Sequence, residues 1–230
     1  MHAKKHHIVF LTGAGISQES GISTFRDANG LWNNHKIEEV ASPEGFENNP
    51  QLVLDFYNAR RRQLDEVEPN VAHLLIAELE SKYRVTVITQ NIDDLHERAG
   101  SSNILHLHGE LRKSRSSANP NLSYNCENDI QLGDLAADGS QLRPHIVWFG
   151  EAVPEIEKAI TITQSADLFV IVGTSMVVHP AASLLLAVPF DAQTVYIDTH
   201  PDVEDGINLL VIKEKASEGV RQLIEDYLPY

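Results

Sequence analysis

Cysteine is almost missing from this sequence: Cys126 is the one thiol among 230 residues. A single cysteine excludes an intrachain disulfide and any zinc site built from several thiolates. Long apolar runs are missing too, and no stretch approaches the roughly 20 residues of a membrane-spanning helix. Positive charge is scarce, with 18 Lys and Arg against 33 Asp and Glu and a formal net charge of -15. Nucleic acids and anionic membranes are generally bound through concentrated positive charge, so neither is an expected partner. The chain opens on a polar stretch, and the apolar run 8–11 is too short for a secretory signal. The expectation is a soluble, cytoplasmic protein without repeats or low-complexity tracts.

What is present points to one large domain with a small appendage. Hydrophobic residues make up 42% of the chain, enough for a substantial core. Short apolar, β-branched runs at 8–11, 84–89, 104–107, 168–172, 194–197 and 209–212 read as strands. Asn49-Pro50 is a good helix start, and Leu52, Val53, Phe56, Tyr57, Arg60 and Leu64 then recur at helical spacing. Further helices are expected over 72–80, 91–99 and 216–228, and a long ordered loop over 19–34. Strands alternating with helices predict an α/β fold, a parallel sheet with helices on both faces. Polar residues follow the strand ends at Thr12-Gly13, Gln90-Asn91, His108-Gly109, Gly173-Thr174 and Asp198. Open α/β sheets bind ligands along that edge. The stretch 111–142, rich in Ser, Asn, Asp and Gly, breaks the alternation and reads as a small lobe inserted in a single domain spanning 1–230.

Gly13-Ala14-Gly15 follows the first strand directly. Strand, Gly-x-Gly, helix start is the order by which α/β folds bring backbone N–H groups against a phosphate. The third glycine of the dinucleotide fingerprint is absent, since Gln18 stands there. By itself the turn is either a phosphate cradle or an ordinary tight turn.

Several motifs then line up in one order. They are Gly13-Ala14-Gly15-Ile16-Ser17, Gly21-Ile22-Ser23-Thr24-Phe25-Arg26, Thr89-Gln90-Asn91-Ile92-Asp93 and His106-Leu107-His108-Gly109-Glu110. Arg143-Pro144-His145-Ile146-Val147-Trp148-Phe149-Gly150-Glu151 and Gly173-Thr174-Ser175 complete the set. Over nearly the whole chain this resembles the sirtuin family of NAD-dependent protein lysine deacylases. The wording around Phe56-Tyr57-Asn58-Ala59-Arg60-Arg61-Arg62 is most similar to the bacterial class III branch.

The resemblance implies a Rossmann-like fold, NAD as cofactor and acylated lysine side chains of proteins as substrate. It implies release of nicotinamide and O-acyl-ADP-ribose, with succinyl or malonyl as well as acetyl groups removed. His108 would be the general base, a task that suits a neutral imidazole, with His106 in a supporting place. Asn91 would share the catalytic site, and Gln90, Asn91, Ile92 and Asp93 would hold the ribose and the nicotinamide carboxamide. Asn91 and Asp93 are also apt helix caps. Gly13, Ala14 and Gly15 would admit the pyrophosphate, with Phe25 and Arg26 closing over the dinucleotide. Gly173, Thr174 and Ser175 would make the second phosphate and ribose contact. Asp198 would meet the adenine ribose where the family more often has Asn. Val147, Trp148, Phe149, Gly150 and Glu151 would form the peptide-binding strand and the acyl-lysine tunnel, unless the large apolar three are plain core. Tyr57 and Arg60, three apart on one helix face, would bind an acyl carboxylate through a guanidinium fork and a phenol. Their alternative is a solvated basic helix end with Arg61 and Arg62.

The family's small lobe usually binds structural zinc through four cysteines. Here it has Cys126 alone, so no metal is expected. Packing and hydrogen bonds would hold the lobe instead, through Leu122, Tyr124, Ile130, Leu132 and Leu135. Two other functions stay open: an NAD-dependent protein ADP-ribosyltransferase, and a non-catalytic NAD or ADP-ribose binding module. Protein targets and oligomeric state are not legible.

Overall fold

A computed structural model describes residues 6–23, 31–32, 35–175, 181–201 and 203–228. The strands are β1 (His7–Thr12), β2 (Leu31–Trp32), β3 (His35–Lys36), β4 (Arg84–Thr89), β5 (Ile104–His106) and β6 (Gly109–Ser116). They continue with β7 (Ser123–Asn125), β8 (Leu142–Ile146), β9 (Leu168–Val172), β10 (Gln193–Ile197) and β11 (Leu209–Ile212). The helices are α1 (Ala14–Ser17), α2 (Ile37–Val40), α3 (Pro43–Asn48), α4 (Pro50–Leu64), α5 (Val71–Glu78), α6 (Leu95–Ala99), α7 (Ile156–Thr163) and α8 (Ala216–Gln222).

Six described strands form a parallel sheet in the order β11-β10-β9-β1-β4-β5. β1 alternates its side chains between two cores, as the period of a strand requires. Ile8 and Phe10 pack with Ala72 and Ile76 of α5 and Val220 of α8. Val9 and Leu11 pack on the other face with Ala159 of α7 and Leu184. Helices therefore cover both faces, and the sheet has the α/β, Rossmann-like architecture expected. The chain leaves β1 for β4 on one side and returns to β9 on the other. The crevice between their carboxyl ends is a topological switch point.

The six strands read from apolar runs all form. α4 starts where expected, with the Asn49 carbonyl oxygen of its side chain accepting the Leu52 N–H at 3.1 Å and Pro50 in the first turn. The helix expected over 91–99 is shorter. Residues 90–94 stay non-helical, and α6 begins at Leu95, whose N–H is accepted by Asp93 Oδ1 at 3.3 Å. α2, α3 and α7 were not expected.

Residues 109–146 carry a separate antiparallel sheet in the order β7-β6-β8. The expected apolar anchors are corrected here. Ile130 is buried, but Tyr124, Leu132 and Leu135 are exposed. Hydrogen bonds from α4 fasten the unit instead. Asn58 donates to Ile130 O and accepts from Ile130 N, both at 2.9 Å. Buried Arg61 donates through Nε to Leu111 O at 2.8 Å and through Nη1 to Asn58 Oδ1 at 2.8 Å. Arg62 pairs with Asp129. Cys126 Sγ bonds Asn128 O at 3.3 Å.

Candidate active site

Sheet register sets the site. Thr12 lies level with Thr89 and Val172, and Val172 with Ile197. Gly13, Gln90, Gly173 and Asp198 therefore emerge along one edge. The two glycine turns meet backbone to backbone. Gly15 N–H donates to Gly173 O at 2.8 Å, and Gly13 N–H to Val172 O at 3.0 Å. Gly173 has φ +63°, and a Cβ on it would stand 2.5 Å from Ile16 N. The N–H groups of Gly13 and Gly15 face β9, and the glycines serve by letting two turns touch. Ala14 is half-buried beside them. Phe25 and Arg26 lie outside the described residues.

Gln90 and Thr174 close the crevice, the Gln90 amide donating to Thr174 Oγ1 at 2.9 Å. Tyr196 Oη fixes the same segment by donating to Thr174 O at 2.9 Å, and half-buried Ser175 follows. Asp198 is buried, and its Oδ1 accepts the His200 N–H at 2.9 Å. Asn91 is buried, and its amide donates to Gly13 O at 3.2 Å and to Ser17 Oγ at 3.0 Å. Ser17 in turn donates to Asp93 Oδ2 at 2.9 Å. Burial pushes the Asp93 carboxyl up to about 6, against the lowering by Ser17 and the Leu95 N–H. Ile92 packs against the α4 core. Ser17 stood inside a quoted motif, yet nothing local marked it as the group joining Asn91 to Asp93.

His108 follows β5. Its Nδ1 lies 3.0 Å from Gln90 O, so that nitrogen carries the proton and Nε2 is bare. Burial lowers its pKa, with the Gln90 carbonyl opposing, and the imidazole is neutral near pH 7. His106 differs. Its Nδ1 lies 3.1 Å from Asn91 O and its Nε2 2.7 Å from Glu97 Oε1. Burial opposes its charge, but Glu97 outweighs it and the pKa is raised. His106 is thus engaged at both nitrogens, whereas His108 keeps a free one. Gly109, with φ +84°, allows β6 to start against β8: a Cβ there would collide with His145 O.

The second part of the site lies between α4 and the turn after β8. Val147–Glu151 was expected as a strand, but β8 ends at Ile146 and residues 147–151 turn. Val147 N–H donates to His108 O and Phe149 N–H to Ala41 O, both at 2.9 Å. Trp148 is buried against Tyr57 and Phe46 and donates to Tyr57 Oη at 3.1 Å. Phe149 is 52% exposed, with Gly150 beside it. Glu151, expected at the substrate, has its carboxylate engaged elsewhere. It accepts from Arg143 at 2.8 Å, from Arg115 at 3.1 Å and from Trp148 N–H at 2.8 Å. Burial opposes its charge, yet these donors hold its pKa below the usual range. Arg143, which sequence reasoning left without a role, also stacks 3.2 Å from the Trp148 ring centroid. Tyr57 is fully buried, and burial raises its pKa. Arg60 stacks on Phe56 at 4.7 Å, and its Nε and Nη1 are buried without a hydrogen-bond partner. It borders a cavity of about 180 Å³ with His35, Leu52, Asp55, Phe56 and Ala59.

A switch-point crevice with amide, hydroxyl and carboxyl groups, beside a histidine that keeps one ring nitrogen free, is the arrangement of a nucleotide-using α/β protein. The sequence model described as the Sir2 family matches residues 13–180. A protein from Helicobacter pylori named NAD-dependent protein deacylase is 64% identical, over 95% of this chain and 96% of its own. One of the same name from Bacteroides thetaiotaomicron is 55% identical, over 97% and 98%. A crystal structure of a Sir2 homologue–NAD complex superposes with TM-score 0.84 at 40% identity, over 96% of this chain and 88% of that one. A Sir2 structure holding an inhibitor, 2'-O-acetyl-ADP-ribose and a deacetylated peptide gives 0.77 at 32%, over 95% and 93%. The chain belongs to the Sir2 family.

Proposed function

We propose that this protein is an NAD-dependent protein lysine deacylase that removes succinyl or malonyl as well as acetyl groups. The observation that carries the reaction is His108, neutral, with Nδ1–H on Gln90 O and Nε2 free. The residues of the crevice fit a dinucleotide. Gln90 offers an amide, Thr174 a hydroxyl, Asp198 a carboxylate, and Asp93 a buried carboxyl able to accept from a carboxamide. Bound NAD supplies an electrophilic ribose carbon, a nicotinamide leaving group and ribose hydroxyls. Gln90, Asn91 and Asp93 hold the ribose and carboxamide end, with Asn91 and Asp93 locked to each other through Ser17. His108 Nε2 takes a proton from a ribose hydroxyl, and Gln90 O holds the resulting imidazolium. Val147, Trp148 and Phe149 wall the channel for the lysine methylenes and keep water from it. Tyr57 and Arg60 receive the acyl carboxylate, which two unpartnered Arg60 donors support. The whole chain acts as one catalytic domain with its lobe at about 111–142, free of structural zinc. The lone thiol and the need for NAD support a cytoplasmic setting.

An acyl-peptide panel with NAD, read by mass spectrometry, tests the proposal. The expected result is loss of acetyl and succinyl mass from lysine, with nicotinamide release that His108→Ala abolishes. A gain of ADP-ribose mass on the peptide would instead make the chain a transferase to protein.

A further inference from the structure

Two histidines that take no part in the proposed reaction lie buried near the site. His73 sits in the first turn of α5 and His96 in α6. They are 0% and 1% exposed, with rings edge to face and centroids 4.8 Å apart. In each ring one nitrogen is bonded and the other is buried without a partner: Nε2 of His73 and Nδ1 of His96.

The bonded nitrogens fix the tautomers. His73 Nδ1 accepts the Asn70 N–H at 3.4 Å, so its proton is on Nε2. Thr12 Oγ1 donates its one proton to Thr89 Oγ1 at 2.9 Å. Towards His96 Nε2, 3.1 Å away, Thr12 can therefore only accept. His96 carries its proton on Nε2, and its Nδ1 is bare. The two unpartnered nitrogens are thus complementary, a donor on His73 and an acceptor on His96.

The bonds continue into the site. Thr89 Oγ1 also accepts the Asn91 N–H at 3.1 Å. The carbonyl of that same peptide unit, Gln90 O, is the group that accepts Nδ1–H of His108. The neighbouring titratable groups bond elsewhere, His106 to Glu97 and Asp93 to Ser17.

We propose that His96 is a positioning residue for His108. His73 donates to its Nδ1 through one water, and the bonds from His96 through Thr12 and Thr89 hold the 90–91 peptide that orients His108. The inference rests on the reading of His108 as the base. Thr89, held in place by Thr12, fixes where the Asn91 N–H and hence Gln90 O point, and the bond to Gln90 O is what favours the protonated form of His108.

The test compares His96→Leu, His96→Gln and Thr12→Val in the full chain, with NAD and an acetyl-lysine peptide. His96→Leu and Thr12→Val are expected to lower kcat about ten- to a hundred-fold and to leave KM for NAD within about two-fold. The acidic limb of the kcat–pH profile moves to lower pH by about half a unit. His96→Gln, whose amide can still donate to Thr12, recovers most of kcat. An unshifted acidic limb, or a loss confined to thermal stability, overturns the relay. Should His96→Leu not fold, Thr12→Val gives the same reading with the side chain's shape kept. His108→Ala in parallel separates the two claims. Unchanged turnover there removes base and relay together. Lost turnover there, with no shift in His96→Leu or Thr12→Val, removes the relay alone.

Discussion

Arg60, Arg61 and Arg62 are adjacent in sequence and opposite in circumstance. Arg61 and Arg62 reach the lobe and are bonded there. Arg60 turns towards Phe56 and keeps two buried donors without partners. A buried cationic group without its hydrogen bonds is costly, and an acyl carboxylate in the adjoining cavity would supply them. Arg60→Met is therefore expected to lower kcat/KM for a succinyl-lysine peptide about ten- to a hundred-fold, the worth of one charge-assisted contact. Turnover of the acetyl-lysine peptide should change by less than about three-fold. Steady-state kinetics on the two peptides check this, and equal losses would remove the carboxylate role. Helical spacing placed Tyr57 and Arg60 together, and that much was legible. The spacing could not tell that Tyr57 Oη already accepts from Trp148, 91 residues away. Nor could it tell that Glu151 is engaged with Arg115 and Arg143. Such bonds depend on tertiary approach, which local pattern does not carry.

α4 bears two functions on two faces. Tyr57 packs on Trp148 and Arg60 borders a small cavity, while Asn58 and Arg61 hold the lobe. The clasp of Asn58 on Ile130 satisfies a buried backbone N–H and C=O at once. Asn58→Ala leaves both unpaired, at a cost of about 2–4 kcal/mol by the usual penalty for two buried groups. Denaturant unfolding should show that loss, with faster amide exchange around residue 130, and a metal chelator should leave the wild-type midpoint unchanged. An unaltered midpoint in Asn58→Ala, or one that a chelator lowers in wild type, would return the lobe to packing or metal. The strands of the parallel sheet and α4 were readable because apolar periodicity and an Asn-Pro start mark them. The lobe's fastening was not, because Tyr124, Leu132 and Leu135 stay exposed while its anchors are polar side chains of α4 some 50 to 72 residues earlier. The late start of α6 has a similar cause: residues 90–93 bond to the glycine turn, to Ser17 and to His108 instead of winding into a helix.

Over the whole molecule, the buried titratable groups set how stability responds to pH. Burial pushes His73 down to about 4 and Asp93 up to about 6, from ordinary values near 6.5 and 3.9. The two act in opposite directions. His73 is folded in its neutral form, so its contribution is whole above about pH 6.5 and is lost as pH falls towards 4. Asp93 is folded more easily protonated, so its contribution is whole below about pH 4 and is lost as pH rises through 6. Each amounts to about 3 kcal/mol by linkage, and between pH 6 and 4 they largely offset. His96 breaks the balance. Burial and the adjacent His73 and His106 hold it well below the usual histidine range, so its loss on acidification adds to that of His73. Glu97 and Glu151, both held below the usual carboxylate range by their partners despite burial, lose their stabilisation at still lower pH. The melting temperature is therefore expected to fall as pH drops well below 6.5, where the loss from His73 and His96 together outweighs the opposing groups. Asp93→Asn removes an opposing group and leaves His106, whose pKa Glu97 raises, as it was. Its melting curve should fall more steeply than wild type between pH 6 and 4, whatever its stability at pH 7. Thermal unfolding across that range compares the two slopes. Parallel slopes would mean that Asp93 titrates in the folded protein as it does in the unfolded chain, and that its burial beside Ser17 does not govern its proton.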